Sequence, residues 1–159
     1  MNVEYAISEQ DIAEIRKLFK EYEKFLNVDL CFQDFERELV SLPGKYAAPS
    51  GVLLLVKEGG DCIGCGALRS FGRPEDHICE MKRLYVRPSA RGLGVGRHLA
   101  EHLIRDAVRL GYREMRLDTL TKLVAARSLY QSLDFVPIEP YYGNPLPNVS
   151  YWKLDLIDR

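Results

Sequence analysis

The chain has 159 residues, 47% of them apolar, which at this size supports one real hydrophobic core. Twenty-two Lys and Arg against 23 Asp and Glu leave a net charge of -1, so no basic excess points to nucleic acid. No basic amphipathic helix points to a membrane, the longest aliphatic run (Val52 to Val56) is too short to cross one, and Met-Asn-Val-Glu-Tyr lacks the pattern of a secretion signal. A single domain over 1–159 in the cytoplasm is the expectation.

In chain order, Ser8 and Asp11 have capping-box spacing. Ile12, Ile15, Leu18, Phe19, Tyr22, Phe25 and Leu26 then recur at helical period. A second helix is expected over Gln33 to Leu42, stopped by Pro43-Gly44. Gly51 to Val56 reads as a strand, Lys57 to Asp61 as a hairpin turn, and Cys62 to Arg69 as the returning strand. Cys62 and Cys65 form a lone CxxC with no second pair to complete a zinc site, and in a strand positions three apart face opposite sides. With Cys31 and Cys79 they read as ordinary reduced thiols.

The central stretch runs from Cys79 to Leu110. A strand over Ile78 to Val86 is broken by Pro88-Ser89-Ala90, and Arg91-Gly92-Leu93-Gly94-Val95-Gly96 leads into an amphipathic helix that Gly111 caps. Glycines leave backbone N–H groups open to a ligand, and the first turn of a helix adds unpaired N–H groups and the positive end of the dipole. Together they make a seat for a phosphate or pyrophosphate, with Arg91 and Arg97 as its side-chain partners. Neither nucleotide motif fits: Gly96 is followed by Arg97-His98, not Lys-Ser/Thr, and the glycines are spaced Gly-x-Gly-x-Gly. A strand over Arg113 to Thr119, a helix over Lys122 to Leu133, a proline-rich loop from Pro137 to Pro147 and a strand over Val149 to Leu156 complete an α+β order with one parallel crossover.

The spacing Arg91-x-x-Gly94-x-Gly96 after Leu84-Tyr85-Val86 resembles the acyl-coenzyme A signature of the GNAT N-acetyltransferase superfamily. Ala126-x-x-Leu129-Tyr130-x-x-x-Asp134-Phe135 is similar to a second landmark of that family, with Asp134 replacing its usual glycine. Leu123 stands where many members place an asparagine on the pantetheine arm. The resemblance covers nearly the whole chain. It implies the GNAT acyl-CoA N-acyltransferase fold, a central mixed sheet flanked by helices, with acetyl-coenzyme A as co-substrate and no metal.

The reaction so implied moves acetyl to a primary amine, most simply of a small molecule, by direct attack in a ternary complex. A peptide or protein amine is the other acceptor, and a homodimer is compatible with this reading. An amine of pKa about 10.4 is neutral in only about one molecule in a few thousand at pH 7, so a base must take its proton. By spacing, Glu80 is the counterpart of the general base of histone-type members. Tyr130 matches the tyrosine placed to protonate the departing thiolate, and the backbone of Leu84, Tyr85 and Val86 would meet the oxyanion. The loop from Arg91 through Gly92, Leu93, Gly94, Val95 and Gly96 to Arg97 would hold the coenzyme. Candidates for the acceptor pocket are Tyr22, Phe25 and Leu26, Arg69 and Arg83, and Tyr141, Tyr142 and Asn144, the arginines suiting a carboxylate or phosphate. Two rival readings are a coenzyme-binding module without catalysis and a zinc hydrolase. The latter would use His98-x-x-Glu101-His102, yet both histidines fall on the helix's solvent side.

Overall fold

The computed structural model describes all 159 residues, and one seven-stranded sheet runs through it. The elements are β1 (Asn2–Tyr5), α1 (Glu9–Leu26), α2 (Phe35–Ser41), β2 (Val52–Glu58), β3 (Asp61–Phe71) and β4 (Ile78–Val86). They continue with α3 (Val95–Arg109), β5 (Glu114–Leu120), α4 (Val124–Ser132), β6 (Val136–Ile138) and β7 (Val149–Asp155). The strands lie in the order β1-β2-β3-β4-β5-β7-β6, and every neighbouring pair is antiparallel except β4 and β5. The crossover β4-α3-β5 is the parallel unit read from the sequence, and the mixed sheet flanked by helices matches the expected fold.

Both faces of the sheet are covered, which explains the unbroken aliphatic run of β2. Val52, Leu54 and Val56 pack into a core with Leu99, Leu103 and Ala107 of α3. Leu53 and Leu55 face the opposite core, with Ile15, Leu18 and Phe19 of α1 and Phe35 and Leu39 of α2. At the start of α1 the Asp11 N–H donates to Ser8 Oγ at 3.0 Å, the expected cap.

The sequence reading misses two short strands. β1 has only four residues, and its place is set by distant groups: Lys57 Nζ reaches Glu4 Oε2 at 3.0 Å, and the Tyr5 hydroxyl donates to Asp106 of α3 at 3.0 Å. β6 carries Pro137, which is tolerated because the strand pairs on one side only, with β7.

The CxxC geometry also departs from expectation. Val56 pairs with Gly64 and Lys57 with Cys62, so Ile63 is an inserted residue and the strand bulges. Cys62 and Cys65 therefore face the same core, beneath α1. Burial pushes both thiols up in pKa, which leaves them protonated and unreactive, as expected of structural cysteines.

A second bulge shapes the site. Cys65 pairs with Tyr85 and Ala67 with Lys82, so Arg83 and Leu84 together oppose Gly66. Arg83 takes a left-handed φ of 59°, and its guanidinium grips Glu38 of α2 through two hydrogen bonds of 2.9 and 3.0 Å.

Candidate active site

The parallel ladder between β4 and β5 lasts for three residue pairs, ending at Glu80 and Arg116. Beyond them β5 keeps its pairing with β7 as far as Leu120, while β4 stays on β3, so the sheet opens into a splay. A cleft of about 570 Å³ fills the gap between the C-terminal halves of the two strands, the start of α3 and one side of α4. A cleft at the carboxyl ends of diverging parallel strands is where open α/β sheets receive ligands.

The loop after β4 forms one end of this cleft. Arg91, Gly92, Gly94, Val95, Gly96 and Arg97 line it, whereas Leu93 does not and is 65% exposed. Gly94 is the residue before α3, at φ 80°, and a Cβ there would meet no protein atom within 4 Å. The glycine thus keeps open a side of the backbone that nothing else in the chain fills. The Arg91 guanidinium lies 4.3 Å from the centre of the Phe25 ring, and its Nε–H donates to the Val86 carbonyl at 3.1 Å. Arg97 bonds Ser132 of α4 and lies 3.4 Å from Glu101.

Leu84, Tyr85 and Val86 line the cleft from β4, and Tyr22 and Phe25 from α1. Tyr130 closes it from α4 at 6% exposure, deeper than Ala126 and Leu129, which stay half-buried because they face the cleft. Burial pushes the Tyr130 hydroxyl up in pKa, so it carries its proton at neutral pH, and burial takes Tyr22 to about 12. Asp134 ends the helix region at φ 74°, in the left-handed region that its usual glycine would favour.

Glu80 does not line this cleft. It faces a second cavity of about 370 Å³, bounded by α2 and the loop after it, and is 1% exposed. Its Oε1 accepts from Arg69 Nε at 3.0 Å, and its Oε2 accepts from the Tyr141 hydroxyl at 2.5 Å. Tyr141 lines neither cavity; burial and the Glu80 carboxylate hold its hydroxyl firmly protonated. Arg69 lines the second cavity, Asn144 the cleft, and Arg83 both, but each arginine is already paired with a carboxylate.

Among the cleft residues that escape the sequence reading are Gln33, Lys82 and Asp118. Gln33, Lys82 and Arg83 wall both cavities, so the two spaces adjoin at the splay. Asp118 lines the cleft from β5, its Oδ2 accepting from the Tyr142 hydroxyl at 2.6 Å and from Asn144 at 3.2 Å. The available signal was alternation: Glu80 and Lys82 interleave with buried Cys79 and Met81, as Arg116 and Asp118 interleave with Met115 and Leu117.

His98, Glu101 and His102 do not converge. His98 is exposed, Glu101 turns to Arg97, and His102 packs edge-on against Tyr5 at 5.8 Å and lies 3.8 Å from Asp106.

A long apolar groove with backbone donors at one end and a buried phenol along its wall suits an extended ligand with an anionic group. The family profile described as Acetyltransferase (GNAT) family matches residues 12–135, most of the chain. The chain belongs to the GNAT acetyltransferase family. It is an acyltransferase that draws on acetyl-coenzyme A. An uncharacterized N-acetyltransferase of Schizosaccharomyces pombe is 44% identical over 148 residues, covering 92% of this chain and 90% of the relative. An acetyltransferase of the GNAT family from Staphylococcus aureus Mu50 superposes with a TM-score of 0.78 over 98% of both chains, at 19% identity. The structure of yncA from Salmonella typhimurium with its cofactor acetyl-CoA gives 0.70 at 23% identity, covering 100% of this chain and 95% of that one. At such identities the two structures speak to the fold.

Proposed function

We propose that the protein moves acetyl from acetyl-coenzyme A to the primary amine of a small molecule, by direct attack in a ternary complex. The observation that carries this reading is the pair of cavities meeting at the β4–β5 splay, which lets a thioester and an amine approach one point from different sides. The coenzyme lies in the larger cleft, its pyrophosphate on the N–H groups of the Gly92–Gly96 loop beside Arg91 and Arg97. The amine arrives through the smaller cavity.

Glu80 takes the amine's proton through a water. Each carboxylate oxygen can accept two hydrogen bonds, so Arg69 and Tyr141 leave room for one more. The neutral nitrogen forms its bond to the thioester carbon, and N–H groups of the splayed β4 segment at Leu84 to Val86 receive the oxyanion. Collapse breaks the C–S bond as Tyr130 hands its proton to the leaving thiolate; the nitrogen sheds its second proton to solvent water, from which Tyr130 is reprotonated. The products are an amide and free coenzyme A.

Release of coenzyme A thiol, dependent on both acetyl-coenzyme A and an added amine, tests the proposal. A thiol of pKa about 8.5 leaves tolerably unaided, so Tyr130→Phe is expected to lower kcat by only about tenfold, with the KM for amine unchanged. Coenzyme binding without release on a broad amine panel contradicts catalysis and favours a binding module.

A further inference from the structure

On the sheet face that meets α1 and α2, three buried or half-buried cations share two carboxylates. Arg69 holds Glu80 and Arg83 holds Glu38. Lys82, whose side chain is 10% exposed, has no carboxylate of its own. It lies 3.9 Å from the oxygen that Arg69 already occupies and donates to the neutral Gln33 Oε1 at 3.1 Å. Burial lowers the Lys82 pKa, the mark of a charge short of partners.

The place of this cation matters. Continuing the register beyond the Glu80–Arg116 pair sets Lys82 against Asp118, but the strands have separated and the two form no ion pair. Both line the cleft at the splay, where the two cavities join, and Asp118 is fixed by Tyr142 and Asn144. A positive and a negative group thus face one another across the gap in which acetyl is transferred.

We infer that the acceptor is a free amino acid, its carboxylate seated on Lys82 and its ammonium drawn to Asp118; this rests on the acetyl transfer proposed above. A carboxylate, singly charged, matches Lys82 as a single point charge; the Arg83 fork is fully taken by Glu38 and Gln33, while Arg69 gives its Nε–H to Glu80. A zwitterion, with its ammonium and carboxylate on one α-carbon, also offers a charge to both walls of the splay at once.

The test compares coenzyme A release at saturating acetyl-coenzyme A for matched triplets: an amino acid, its amide, and the amine lacking the carboxyl group. A charged hydrogen bond contributes about 1.5–3 kcal/mol, so kcat/KM for the amino acid is expected to exceed the others by about 10–100-fold. Lys82→Gln should raise the KM for the amino acid and erase that preference, whereas Lys82→Arg, which keeps the charge, should retain most of it. The unfolding transition of each variant checks that it is folded. Equal rates across the triplets in the wild type, or a preference that survives Lys82→Gln, overturn the amino-acid assignment and leave acetyl transfer standing. No release with any amine overturns both.

Discussion

Gly94→Val is expected to weaken acetyl-coenzyme A binding by about 100-fold or more, in a protein that still unfolds cooperatively. Two effects add. At φ 80° a β-branched side chain is strained, which costs about 1–3 kcal/mol or forces the loop to flip and turn its N–H groups away. If the loop holds its shape, the isopropyl group occupies the open side, where no protein atom lies within 4 Å and where the coenzyme is proposed to lie. Because that side is empty of protein, the substitution creates no clash within the fold, and the loss falls on the ligand. Calorimetric titration of both forms measures it. Equal affinities would remove the loop from the coenzyme site.

Glu80→Gln is expected to lower kcat by about 10²–10⁴, the range for loss of a general base, with the affinity for acetyl-coenzyme A retained. The amide keeps the shape and can still accept from Tyr141, but it cannot take a proton. It also leaves the Arg69 guanidinium without its counter-charge in a largely buried place, which destabilises the fold. The unfolding transition must therefore be followed beside the rate. Asp118→Asn separates the two carboxylates. If Asp118 only attracts the ammonium, its loss raises KM for the amine and lowers kcat far less than Glu80→Gln does. The reverse order would make Asp118 the proton acceptor.

Much of this site is legible in the chain because its signals are local. The strand from Ile78 to Val86, the glycine loop and the helix after it each follow from a few consecutive residues, and the observed bounds agree closely. The face proposed for the acceptor is harder to read, because its geometry is set by pairing between strands. Arg69 and Glu80 are cross-strand neighbours through a register that shifts at Arg83 and Leu84, a shift no local pattern announces. One inserted residue, Ile63, likewise turns Cys62 onto the face of Cys65. Lys82 and Asp118 carry no motif at all; they face each other only because the β4–β5 pairing stops at Glu80 and Arg116.

Direct transfer between two substrates held together at the splay is tested most directly by initial rates with both concentrations varied. Double-reciprocal lines that intersect are the predicted result, since attack then requires both ligands on the protein at once. Parallel lines, with an acetyl group found on the protein after incubation with acetyl-coenzyme A alone, would contradict it and require a covalent intermediate.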